Sequence, residues 1–256
     1  MNAENPYEPP HSDDLRPARG CSWITWLAIA GVVGLILLGL LLPTSRRGVR
    51  EVARRVGCSN NLRQIAQAMV IYEQQHGTLP PVCTRDADGK PLHSWRTLIL
   101  PYIEEKELFD TIDLTKPWDD PANAAARERM PSVYGCPSAD LPPGRTTYMV
   151  VVSSEGCFRP DRSVAMAEVP KPSQTLLVAE FPTKRAVPWM APEDADEGMF
   201  VTMGTGNLPD HVSGVANIAF ADTHVDAVWP DDTTAFNADV RRGLISTAAE
   251  EPAGIE

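Results

Sequence analysis

Histidine and cysteine are scarce in this chain, with five of each in 256 residues. The cysteines, Cys21, Cys58, Cys83, Cys136 and Cys157, include no Cys-x-x-Cys pair, so their spacing leads us to expect neither a zinc site nor any other cofactor. Basic residues are also few. The 23 Lys and Arg stand against 34 Asp and Glu, for a net charge of −11. A phosphate backbone needs a concentrated basic surface, so nucleic acid is excluded as a general partner. No Gly-x-Ser-x-Gly, P-loop or His-Glu-x-x-His pattern occurs, and the expectation is a non-enzymatic protein. There is no internal repeat.

What is abundant is apolar sequence in one place. From Ser22 to Leu42 the chain reads SWITWLAIAGVVGLILLGLLL, 21 residues without a charge. A helix needs about 20 such residues to cross a hydrocarbon layer. A secretory signal would carry a shorter apolar stretch and a small-residue cleavage site, and a core helix of this length would show a polar face. Residues 22–42 are therefore read as a transmembrane helix, with the lipid bilayer as its partner. Gly31, Gly34 and Gly39 leave small surfaces for self-association through it. Arg16 and Arg19 precede the span, whereas Arg46, Arg47, Arg50, Arg54 and Arg55 follow it. Loop charge taken alone places the C-terminal domain in the cytoplasm.

Residues 1–21 are polar, with four prolines and no hydrophobic period, and read as a disordered leader. Beyond Pro43 a helical pattern resumes, with Leu62, Ile65, Met69 and Tyr72 on one face, and stops at Gly77 before Pro80 and Pro81. A second helix is predicted from the N-cap Ser94 to Phe109, with Pro101 straining its middle. Strands follow at Thr147–Val152, Thr175–Ala179, Asn217–Ala221 and Val225–Trp229, the last two joined by a tight turn at Asp222-Thr223-His224. Connections too short for crossover helices predict an antiparallel sheet. The fold class is α+β, with a long N-terminal helix packed on that sheet, a domain spanning 43–242, and a frayed acidic tail at 243–256.

Three groups of residues carry a resemblance to a known family. The first is Arg19-Gly20, the apolar helix, and Cys58-Ser59-Asn60-Asn61-Leu62-Arg63-Gln64-Ile65. The second is His93-Ser94-Trp95-Arg96-Thr97-Leu98 through Glu104, then Pro117-Trp118-Asp119-Asp120-Pro121 and Cys136-Pro137-Ser138. The third is His211 through Asp222, centred on Ala216-Asn217-Ile218-Ala219-Phe220-Ala221-Asp222. In this order they resemble the bacterial domain-of-unknown-function family 1559, whose start is type IV prepilin-like. The resemblance implies a pseudopilin-like plan at the cytoplasmic membrane, with the N-terminus inside and residues 43–242 outside. It further implies a structural or interaction role, in a pilus-like or type II secretion-like assembly with other pilin-like subunits or as a stand-alone surface protein. It marks Gly20 and Cys21 as the processing position and Cys58 with Cys136 as a disulfide pair, other pairings with Cys83 and Cys157 remaining open. This chain departs from the pattern at Cys21, where phenylalanine is usual, at Thr25, where glutamate is usual, and at Thr223, where glycine is usual. Threonine tolerates positive φ poorly, so a turn other than the two-residue hairpin is expected.

The sharpest candidate for chemistry is the cluster Asp210, His211, Asp222, His224 and Asp226. His224 and Asp226 lie two apart on a strand and share a face. With His211 and Asp222 they form a candidate metal set, and calcium is the ion such oxygen ligands suit. The alternative function is thus a membrane-tethered cation-binding module or metal-dependent hydrolase built on this hairpin. His93 and Trp95, and the loop Pro117–Pro121, are read as structural.

Overall fold

The computed structural model describes residues 23–41, 46–169, 171–203 and 216–228, with side chains at 23–37, 50, 52–169, 171–200 and 216–227. Gly20, Cys21, Asp210, His211, the leader and the acidic tail lie outside the described residues. The chain divides into two compact units, Met1–Arg47 and Gly48–Glu256. The first contains helix α1 (Trp23–Leu41), whose described side chains are exposed, among them Trp23, Trp26 and Leu35. Among the described residues no helix is long and apolar enough to cross a membrane.

Helix α2 (Arg46–His76) runs from the unit boundary into the second unit. Its three-to-four period does what the sequence predicts. Leu62, Ile65 and Met69 are fully buried, while Val52 and Val56 on the earlier turns remain exposed. Tyr72 closes the stripe, stacked on His76 at 4.1 Å and edge-on to Tyr102 at 5.8 Å between ring centroids. Gly77 ends the helix at φ +80°, a left-handed C-cap that lets its N–H reach the Glu73 carbonyl.

A hairpin, β1 (Cys83–Arg85) and β2 (Pro91–Ser94), follows. Ser94 caps the next helix as predicted, its Oγ accepting from Arg96 N. The helix predicted through Phe109 is instead three pieces: α3 (Trp95–Leu98), a 3-10 turn at Leu100–Tyr102, and α4 (Lys106–Phe109). Pro101 has no N–H to continue the ladder. Glu104 then adopts φ +63°, which reverses the chain before α4. Helix α5 (Ala124–Arg127) lies beyond the Pro117–Pro121 loop, where Asp120 accepts from Ala122 N as a cap.

The remaining strands are β3 (Arg145–Thr146), β4 (Tyr148–Met149), β5 (Val151–Val152), β6 (Leu176–Glu180), β7 (Val187–Pro188), β8 (Ala195–Asp196), β9 (Ala216–Phe220) and β10 (Val225–Val228), with α6 (Glu197–Met203) between β8 and β9. The main sheet has the order β10-β9-β6-β4 and is antiparallel throughout. β3 pairs with β7 antiparallel, and β5 pairs with β8 parallel. The single strand predicted at Thr147–Val152 is therefore split. At Val150 the N–H leaves the ladder and donates to Asp194 Oδ1 at 3.1 Å, while the Val150 carbonyl accepts from Ala195 N. The chain is thereby handed from the main sheet to β8.

One face of the sheet packs under α2. Tyr148, Leu177, Val178 and Ala219 join Leu62, Ile65, Met69 and Trp95 in the larger core. The other face, with Met149, Leu176, Ala179 and Ile218, is closed by Phe181 and Phe200. Leu177 and Val178 point the same way although they are adjacent, because β6 is irregular between Leu176 and Val178 in its pairing with β9. Every side chain after that point faces opposite to simple alternation from Leu176.

The core also holds a buried ion pair. Arg96 is fully buried, and its Nη2 donates to Asp194 Oδ1 at 2.8 Å and to the Tyr148 carbonyl at 2.8 Å. Asp194 also accepts from Trp95 Nε1 at 3.1 Å. Burial pushes the Asp194 carboxyl up, and the guanidinium and these N–H donors oppose that shift. Such a pair adds little net stability over apolar packing, but losing one partner leaves a buried charge.

Candidate functional site

The register of the main sheet lines up three polar side chains. Tyr148 on β4 stands opposite Glu180 on β6. Asn217 on β9 lies one position beyond the Ala179–Ile218 pair, beside Glu180, and its Nδ2 donates to Glu180 Oε2 at 2.7 Å. Cross-strand neighbours share a face, and this face lies under α2. All three residues are buried.

Two cysteines meet that row from above. Cys58 is presented by α2 and is 1% exposed, and Cys136 follows the 3-10 turn Ser132–Tyr134 and is 6% exposed. Gly57 makes the approach possible. A Cβ there would meet Pro137 Cγ at 3.1 Å, so a larger residue would require Pro137 to give by a few tenths of an ångström. Asn61, one turn on, donates to the Gly135 carbonyl at 2.9 Å and ties the same segment down. The sulfurs of Cys58 and Cys136 and a carboxylate oxygen of Glu180 lie within 4.8 Å of one another. Cys58 also faces Ser138 Oγ at 3.8 Å.

The electrostatics follow from this crowding. The hydrogen bond between the two sulfurs lowers the Cys58 thiol below its ordinary value and raises that of Cys136, where burial and Glu180 act in the same direction. Burial first, and the Glu180 carboxylate second, push the Tyr148 phenol well up. No disulfide bond joins the described cysteines, this pair included. The pair singled out by resemblance is brought together here, with a carboxylate that spacing gave no reason to expect.

The hairpin cluster is assembled differently. Phe220 N donates to the His224 carbonyl, and Thr223 N to the Phe220 carbonyl. The loop is thus three residues, Ala221-Asp222-Thr223, with Thr223 at φ +71°. This is a turn other than the two-residue hairpin, as expected, and it ends on a residue in the left-handed region. Asp222 Oδ1 contacts His224 Nδ1. Asp226 Oδ2 lies 3.5 Å from His224 Nε2, and the Phe220 ring stacks on the imidazole at 4.4 Å between centroids. Asp222 and His224 are therefore together, on a partly exposed edge. Both imidazole nitrogens already face carboxylates. His211 lies outside the described residues.

His93 and Trp95 are fully buried, in agreement with a structural reading. Burial lowers the His93 imidazole, with the neighbouring Lys116 and Asp113 carbonyls opposing the shift. Sequence reasoning missed Glu180 and Asp194. Glu180 ends the apolar run Leu176-Leu177-Val178-Ala179, which was the available signal. Asp194 sits among Glu193 and Asp196 and looks like surface.

A groove of about 260 Å³ between α2 and the β9–β10 hairpin is lined by Val52, Val56, Ser59, Asn217 and Val225 among others. It thus reaches residues adjacent to both Cys58 and Glu180.

Comparison with known families gives a match over residues 47–251 to the model described as "Protein of unknown function (DUF1559)". No curated protein and no solved structure matches the chain.

Proposed function

The chain belongs to the DUF1559 family of proteins of unknown function, and from that premise we propose a non-enzymatic protein of pilin-like plan, anchored in the cytoplasmic membrane by its N-terminal helix. Its domain stands outside the cytoplasm and serves as a structural or interaction component of a pilus-like or type II secretion-like assembly. The observation that supports this reading is the contrast between two successive helices. α1 carries nineteen residues without a charge, and its described side chains are exposed. α2, by contrast, buries Leu62, Ile65 and Met69 against an antiparallel sheet. An exposed, continuous apolar surface of that kind needs a cover, and a bilayer supplies one without demanding shape complementarity.

The test is extraction from membranes. The full chain should stay with membranes through alkaline carbonate and leave only with detergent. Val33→Asp together with Gly34→Arg should release it, since each charge at a helix centre costs about 2.5–3.5 kcal/mol to insert. A full chain that is soluble without detergent, or a doubly charged variant that stays bound, would contradict the proposal. Substituting His211 and His224 with alanine separates it from the cation-dependent alternative. The anchored protein should keep its membrane association and its complexes, and no calcium-dependent change in thermal stability should be lost.

A further inference from the structure

The cluster of Cys58, Cys136 and Glu180 has the chemistry of a ligand set, and we propose that it binds one divalent zinc-type ion. Three observations carry this. The three ligand atoms lie within 4.8 Å of one another. Ligands around a tetrahedral ion are held at about 2.0–2.3 Å from it, and atoms at those radii are separated by less than that limit. The donors are two sulfurs and one carboxylate, which suit a borderline-soft ion. Calcium, with its demand for six to eight oxygens, is excluded at this site.

The surroundings are those of a metal site as well. Asn217 Nδ2 donates to Glu180 Oε2 at 2.7 Å and fixes the carboxylate's orientation, which is the role outer-shell partners play around an ion. Ser138 Oγ lies 3.8 Å from Cys58 Sγ and adds a polar group beside the cluster. The three ligands come from α2, from the segment after the Ser132–Tyr134 turn, and from β6, so the ion would tie three remote segments together. A groove lined by Ser59 and Asn217 opens next to the cluster.

A cystine is the competing fate of the same two residues. It would set a neutral bridge, which carries no donor, against a buried carboxylate. An ion instead draws all three groups toward itself, and its binding releases the thiol protons.

The experiment uses the full chain in detergent, prepared with reductant that is then removed without air. Cobalt(II) should bind at one per chain with a thiolate-to-metal charge-transfer band, and zinc should displace it. Cys58→Ser and Cys136→Ser should each remove or sharply weaken the band, whereas Cys83→Ser and Cys157→Ser should leave it. Glu180→Gln should weaken zinc binding by more than about tenfold, with circular dichroism showing that the sheet is retained. The unaltered chain is decisive even if a variant fails to fold. No charge-transfer band in its reduced form overturns the proposal, and so does a band that persists in folded Cys58→Ser. A Cys58–Cys136 cystine in protein isolated from membranes without reductant overturns it too.

Discussion

Thr223 occupies backbone that a β-branched residue rarely adopts, at φ +71°. Strain of this type costs on the order of 1–3 kcal/mol, and glycine has none of it. Glycine also raises the entropy of the unfolded chain, which offsets part of the gain. Thr223→Gly should therefore stabilise the domain by about 1 kcal/mol in urea unfolding, and an equal loss would show that the hydroxyl or methyl contributes something the turn geometry does not reveal. His93 makes a second case. Its folded imidazole is depressed by burial, so the fold favours the neutral form, and its contribution is fully present above the unfolded value of about 6.5. As pH falls below that value the unfolded state takes up the proton first, and stability is lost. Unfolding measured from pH 8 to pH 5 should show this decline, and His93→Asn should remove the part of the slope that belongs to it. Both residues were visible in the sequence as oddities, Thr223 in a turn and His93 beside Trp95. Only the backbone angle and the burial say what each one does.

At the scale of elements, α2 was legible because Leu62, Ile65 and Met69 repeat with its period. The β9–β10 hairpin was legible from its two apolar runs. What periodicity could not show was interruption from a distance. β4 and β5 separate because Asp194, remote in sequence, takes the Val150 N–H. Glu180 faces α2 only because β6 is irregular near Leu177. Counted by strict alternation from Leu176, it would lie on the opposite face. The cysteine cluster depends on a similar detail, the bare backbone of Gly57 under Pro137. Gly57→Ala improves helix propensity by about 1 kcal/mol, yet its Cβ must displace Pro137. The expected outcome in chemical denaturation is no gain or a net loss. A full gain of about 1 kcal/mol would mean that the Cys136 segment moves aside freely, and the close approach at Cys58 would lose its significance.

For the molecule as a whole, loop charge and the proposed plan point in opposite directions. The arginines that follow the apolar segment, read by loop charge alone, would keep the domain inside the cell. The chain belongs to the DUF1559 family over residues 47–251, and the plan proposed for it puts the domain outside. A packed α+β domain with a net charge of −11 is indifferent to the side of the membrane on which it stands. The side is therefore the central claim. Protease added to intact spheroplasts, followed by detection of both ends of the chain, addresses it directly. The account predicts that the domain beyond α1 is digested from outside while a short N-terminal membrane fragment survives. A domain protected until the cells are lysed, with a cytoplasmic marker behaving identically, would contradict it.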